Sequence, residues 1–95
     1  MKLYMVHCGF YDTKICDGLY ESHVNFFVVA ENFEEAKLKA KQIPEFMEKR
    51  MHVDGLQEVS AVSGFRIRTE EDQSLQGATI VLNNKHRDLA TKVVR

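Results

Sequence analysis

The run from His23 to Ala30, together with the helix signal directly after it, limits the fold of this chain most. The run is rich in valine and phenylalanine, which favour a β-strand. Asn32 then offers a side-chain oxygen to cap a helix, and Glu35 three residues later completes a capping-box pattern. These signals predict a domain in which a helix follows a strand and covers one face of a sheet.

The predicted helix has one apolar face and one charged face. Its apolar residues recur at spacings of three and four, as expected for a core-facing helix: Phe33, Ala36, Ala40 and Ile43. Pro44 lacks an N–H group and restricts the residue before it, so the helix ends or breaks there. A further helical turn is compatible with residues 45–50.

Four more segments have the composition of strands, and together they define the fold class. The predicted strands are residues 2–8, 23–30, 51–59, 64–69 and 78–82. The order β-β-α-β-β-β predicts an α+β domain with two layers, in which one main helix covers a mostly antiparallel or mixed sheet of four to five strands. The first strand is apolar on both faces, which predicts a central position. Residues 86–94 form either a terminal helix or a frayed end.

Composition excludes several classes of protein. The chain has 95 residues, which predicts a single domain, and its net charge of −1 carries no basic signal for nucleic-acid binding. The longest apolar run, Phe26 to Ala30, is too short to span a membrane. The apolar start of the chain stops at His7, before a signal peptide would be complete. We therefore expect a cytoplasmic protein whose two cysteines are free thiols.

Several stretches resemble one bacterial family, the domain of unknown function 1543. They are Glu21-Ser22-His23 with the strand that follows, Asn32-Phe33-Glu34-Glu35, Met51-His52-Val53-Asp54 and Val62-Ser63-Gly64-Phe65. The resemblance covers about residues 2–69 and implies no established activity. Val24 stands where the family usually has an aspartate, and Cys8-Gly9 replaces a Gly-Gly. Members carry one or two copies of the domain, so the resemblance implies that a single-copy member could pair with itself.

Two histidines and two carboxylates form the candidate polar cluster. Residues two apart on a strand share a face, so Glu21 and His23 point the same way, as do His52 and Asp54. If the two strands are neighbours in a suitable register, the four side chains converge. Such a group has the ligands that zinc takes in proteins, and its histidines titrate near neutral pH, which suits acid–base chemistry.

The same residues also have structural interpretations. A histidine at a strand end is commonly a hydrogen-bonded structural residue, and Asp54-Gly55 suits a type I′ hairpin turn. The chain contains no strong zinc motif, and its glycines form no phosphate-binding loop, so no cofactor is predicted. Cys8 is more typical of a buried thiol than of a nucleophile, since His7 points to the opposite face of the strand.

The segment from Gly9 to Tyr20 is predicted to be a loop of about a dozen residues, a length that is often functional or mobile in small domains. Phe10, Tyr11 and Tyr20 make it more apolar than an exposed loop requires. Either the loop folds back over the sheet or these side chains contact a partner.

Two functions follow from these observations. The first is a small binding or assembly module without evident catalysis, which self-associates through a sheet edge or the aromatic loop. The alternative is a metal-binding protein or an acid–base enzyme that uses Glu21, His23, His52 and Asp54. No motif assembles a nucleophile, a base and oxyanion donors, which favours the first.

Overall fold

The computed structural model describes residues 1–86 as an α+β domain. Two antiparallel sheets and two helices make up its regular structure, with short 3-10 turns at Cys16–Gly18 and Gln73–Leu75. In chain order the elements are β1 (Lys2–Tyr11), β2 (Glu21–Ala30), α1 (Phe33–Lys41), α2 (Pro44–Glu48), β3 (His52–Glu58), β4 (Ala61–Val62) and β5 (Phe65–Arg66). The predicted fold class is confirmed, and the predicted order of elements agrees with the structure through β3 apart from the additional short helix α2.

The main sheet has three strands in the order β2-β1-β3, all antiparallel. The predicted central position of β1 is therefore confirmed. β1 and β2 form a long hairpin in which Lys2 pairs with Ala30 and Tyr11 pairs with Glu21. β4 and β5 form a separate short hairpin, so the five strands lie in two sheets and not in one.

The core lies between the main sheet and the helices. Tyr4, Val6 and Cys8 point from β1 towards the helices and are fully buried. The helices and the turn after them meet these side chains with four more buried residues: Ala36, Ala40, Phe46 and Met51. Alternation along β1 then directs the residues that alternate with them, including His7 and Gly9, to the opposite face. We call this opposite side of the main sheet the open face.

The capping signals place the helices where the sequence predicts them. Asn32 Oδ1 accepts a hydrogen bond from the Glu35 backbone N–H at 2.8 Å, and the Glu35 carboxylate accepts one from the Glu31 N–H at 3.3 Å. The first helix ends at Lys41, and Pro44 begins the second as its first residue, where its missing N–H costs nothing. Phe33 departs from the predicted apolar face: it stays half exposed, with its ring edge against Tyr4.

Four strand predictions need correction. β1 extends to Tyr11 and β2 begins at Glu21, because the hairpin continues to pair beyond the predicted ends, so the loop is shorter than residues 9–20. β5 comprises only Phe65–Arg66 of the predicted strand 64–69. Residues 78–82 form no strand, because no neighbouring strand of the described chain pairs with them. The predicted terminal helix falls almost wholly on residues 87–95, outside the described residues.

Candidate functional site

A row of three residues across the main sheet positions the site. Gly9 on the central strand pairs with His23 on one side and with His52 on the other. Neighbouring strands are about 4.8 Å apart, so the two histidines stand two strand spacings from each other on the same face. Because Gly9 has no side chain, the space between the two imidazoles remains available to other groups.

Two carboxylates occupy that space. Glu21 shares the open face with His23, two residues further along β2. Asp54 arrives there through a β-bulge, since His7 pairs with Gly55 and Cys8 pairs with Val53, which leaves Asp54 as the extra residue. Asp54 and Gly55 therefore lie inside β3, and the alternative interpretation of them as a hairpin turn is wrong.

Each carboxylate contacts both histidines. His23 Nε2 lies 3.0 Å from Glu21 Oε1 and 3.1 Å from Asp54 Oδ2. His52 Nε2 lies 2.6 Å from Glu21 Oε2 and 3.1 Å from Asp54 Oδ1. All four residues that the sequence singles out are thus brought together, and we refer to them as the His/carboxylate cluster.

Gly9 forms the base of the cluster. A Cβ atom built at this position would lie 2.6 Å from Glu21 Oε2, and 2.7 Å from both Asp54 Oδ2 and His52 Nε2. Those distances are well inside van der Waals contact, so any side chain at position 9 would displace the polar atoms. The cluster needs glycine at this position for space, since three of its four residues converge on the point where a methyl group would stand.

His7 belongs to the site and was missed by the sequence analysis. Its ring stacks on the His23 ring with centroids 4.8 Å apart and planes within 6°, and its Nδ1 lies 2.6 Å from Asn25 Oδ1. The amide oxygen can only accept, so His7 Nδ1 is the donor in this contact. The sequence feature that could have identified His7 is the alternation of side chains along β1, which places His7 on the same face as Gly9.

Cys8 takes no part in the cluster, because it points to the helix side of β1 and is buried in the core. Burial raises the pKa of the Cys8 thiol, and the nearby Asp54 carboxylate raises it further. A nucleophilic or metal-binding cysteine needs the opposite shift, towards the thiolate. Cys16 is exposed, and neither cysteine forms a disulfide.

The three aromatic residues of the predicted loop have different surroundings. Phe10 packs against the core and lies under the Lys49 ammonium group, 5.0 Å from the ring centroid. Tyr11 and Tyr20 are largely exposed. The Tyr11 ring centroid lies 6.4 Å from that of His52, at the edge of the cluster. Packing therefore accounts for Phe10, and only the two tyrosines are left facing solvent.

The cluster is shallow and open to water. Its side chains are between 29% and 46% exposed. A groove of about 700 Å³ lies elsewhere, where Phe27 and Val29 of β2 face residues 77–81. An open group of imidazoles and carboxylates can hold an ion or exchange protons with water, but it offers little apolar surface to an organic ligand.

Fold and site together define a small α+β domain with a His/carboxylate cluster on the open face of its antiparallel sheet. The chain belongs to the family described as Domain of Unknown Function (DUF1543), whose sequence profile matches residues 18–69. The match includes all four cluster residues but begins after Gly9 and His7. Comparison with curated proteins and with solved structures gave no match. Within residues 1–86, every helix is too short or too polar to cross a membrane.

Proposed function

We propose that this protein is a divalent-metal-binding domain and that the His/carboxylate cluster is its metal site. One observation carries the proposal: four N···O contacts join two imidazole Nε2 atoms to two carboxylates. An Nε2 atom carries at most one hydrogen, so two hydrogens have to serve four contacts. A divalent cation at this place would interact favourably with every one of these donor atoms.

The donor set indicates the class of ion. Two nitrogen and two carboxylate ligands suit zinc and neighbouring transition metals, whereas calcium and magnesium prefer oxygen alone. Metal–ligand bonds of about 2.0–2.1 Å place the ligands of a tetrahedral site about 3.3 Å apart. The N···O distances of 2.6 to 3.1 Å are about 0.2 to 0.7 Å shorter, so the side chains would have to move apart to admit an ion.

Exposure favours metal binding over acid–base catalysis. A general acid or base must reach its substrate in a defined position, which normally requires a cleft. The cluster lies on an open sheet face, where an ion needs only its ligands. Proton transfer by His23 or His52 would require other surfaces of the protein to hold a substrate. Tyr11 is the neighbouring side chain that could contribute such a surface.

The proposal is tested by equilibrium dialysis of the untagged, metal-free protein against zinc. We expect His23→Ala and His52→Ala to weaken zinc binding at least 100-fold, since each removes one nitrogen ligand. His86→Ala is the matched control, because it removes a histidine outside the cluster, and it should bind zinc like the unaltered protein. Equal zinc binding by all four proteins would overturn the proposal.

Carboxylate variants extend the same test. Glu21→Gln keeps the shape of the side chain but removes its charge, so we expect weaker zinc binding with an unchanged fold. Glu45→Gln is the matched control, since Glu45 pairs with Lys49 on the helix side of the domain. A loss of binding in both variants would point to a general effect of net charge and not to a site at Glu21.

We also propose self-association as a second function, supported by the exposure of the chain after β3. Residues 60–86 contain no buried residue, yet three of their large apolar side chains are strongly exposed: Phe65 at 74%, Ile80 at 67% and Leu82 at 91%. Apolar surface of this kind is typical of an interaction site. Light scattering over a range of concentrations tests this: a dimer weakened by Leu82→Ser supports it, and a monomer at every concentration contradicts it.

A further inference from the structure

We propose that the cluster holds two metal ions bridged by Asp54, a statement that rests on the proposed function and adds a second site to it. Two overlapping groups of ligands carry the inference. His7, His23 and Asp54 form one group, and Glu21, His52 and Asp54 form the other; within each group the donor atoms all lie within 4.8 Å of one another. Three protein ligands with a position left open is a common form of metal site.

The orientation of the carboxylates supports a bridge. Asp54 directs Oδ2 to His23 and Oδ1 to His52, both at 3.1 Å. Glu21 divides its two oxygens between the same two histidines. Paired metal ions in proteins lie about 3.5–4 Å apart, a separation that one carboxylate can span with one oxygen on each ion. In this arrangement the two ions would share Asp54, with His7 and His23 on one ion and Glu21 and His52 on the other.

His7 has the environment expected of a ligand on the His23 side. Histidine ligands usually donate their second ring N–H to an oxygen, which fixes the ring and leaves the other nitrogen with a lone pair. His7 Nδ1 donates to Asn25 Oδ1 at 2.6 Å, so in the neutral ring Nε2 carries the lone pair. The parallel stacking of His7 on His23 holds the two rings side by side above the sheet. A single ion held by Glu21, His23, His52 and Asp54 would leave this arrangement without a role.

Charge is consistent with two ions only if further ligands bind. Two divalent ions bring four positive charges, and Glu21 with Asp54 supplies two negative charges. Water, hydroxide or another oxygen ligand would fill the remaining positions from solvent, which reaches the open face. The two ions therefore differ from a closed structural zinc site, because each keeps coordination positions that the protein does not fill.

Metal stoichiometry tests the inference and separates its failure from that of the proposed function. The untagged protein is dialysed against manganese or zinc, and bound metal is measured by mass spectrometry. Two ions per chain are expected. One ion per chain would overturn the two-metal inference and leave the proposed metal site standing, whereas none would overturn both.

Variants and spectroscopy distinguish two adjacent ions in the cluster from a second ion bound elsewhere on the protein. His7→Ala should reduce the stoichiometry from two to one, and Asn25→Leu should weaken the second ion 10- to 100-fold by removing the oxygen that fixes His7. His86→Ala should keep two ions, and circular dichroism establishes that each variant is folded. Manganese bound at adjacent positions should give an exchange-coupled paramagnetic resonance spectrum. Two uncoupled ions, both insensitive to His7→Ala, would overturn the inference.

Discussion

His52 Nε2 lies 2.6 Å from Glu21 Oε2, although the two residues are on opposite edge strands of the sheet. The contact is made above Gly9, which pairs with His52 and contributes no side chain to the open face. The central strand thus separates the two edge strands in the sheet but allows their side chains to meet above it. This relationship makes position 9 the most direct place to alter the cluster without removing any of its residues.

Gly9→Ala should weaken metal binding while the protein stays folded. The added methyl group would occupy the point where Glu21, Asp54 and His52 converge, and these flexible side chains would have to move away. We expect zinc affinity, measured by calorimetric titration, to fall at least tenfold. Gly55→Ala is the matched control, since no atom lies within 4 Å of a Cβ at that strand position. Unchanged affinity in Gly9→Ala would show that the ion binds elsewhere.

The two cysteines should differ in reactivity with a thiol reagent. Burial and the Asp54 carboxylate raise the pKa of the Cys8 thiol, so it remains protonated and enclosed, while Cys16 is exposed. Mass spectrometry of the native protein after brief alkylation should find Cys16 modified and Cys8 unmodified. Rapid modification of Cys8 in the folded protein would contradict the position of Cys8 in the core.

The same pKa shift predicts how stability depends on alkaline pH. With a Cys8 pKa higher in the folded than in the unfolded chain, the unfolded thiol ionises first as pH rises. The Cys8 contribution to the free energy of unfolding is therefore complete below about pH 8.5 and declines above it. Urea unfolding at several pH values should show a smaller decline in Cys8→Ala. An equal decline in both proteins would assign the effect to other groups.

Phe46→Ala should destabilise the domain strongly, because Phe46 fills the core beneath the sheet and is 7% exposed. Removing a buried phenylalanine ring typically costs about 3–5 kcal/mol of unfolding free energy. Phe65→Ala removes the same atoms from a side chain that is 74% exposed, and it should change stability by less than about 0.5 kcal/mol. Urea unfolding compares the two, and similar losses would contradict the difference in burial between Phe46 and Phe65.

Asn32→Ala should destabilise the main helix by about 1 kcal/mol, since the side chain caps the Glu35 N–H group. Asn32→Asp keeps a capping oxygen and should retain most of the stability. Asn84→Ala is the control for loss of an asparagine at an exposed position. Urea midpoints that are equal for Asn32→Ala and Asn84→Ala would show that the cap contributes nothing measurable.

The sequence predicts the elements of the fold better than their pairing. The alternation of side chains between the two faces of a strand is a local property. It therefore correctly places Glu21 with His23, and His52 with Asp54, on shared faces. Register depends on contacts between distant strands, and for that reason the row through Gly9 is visible only in the structure. The bulge at Asp54 is visible only in the structure for the same reason, since an extra residue in one strand leaves no sign in the sequence pattern of that strand.

His7 and residues 78–82 show two further limits of sequence analysis. Because β1 has apolar residues on both faces, its sequence predicts a buried strand. His7 is then interpreted as the end of that strand and not as part of a site. Residues 78–82 have the composition of a strand, but composition cannot supply a partner strand, and the described chain offers none. Local preference is realised only where tertiary contacts permit it.

Nuclear magnetic resonance of the histidine rings tests the metal site most directly. Long-range 15N–1H spectra distinguish a protonated ring nitrogen from one bound to metal, and zinc can be added stepwise to the metal-free protein. We predict that the Nε2 resonances of His23 and His52 shift on addition of zinc, while the His86 ring is unaffected. If zinc leaves the His23 and His52 rings unchanged, the cluster is a set of hydrogen bonds and not a metal site.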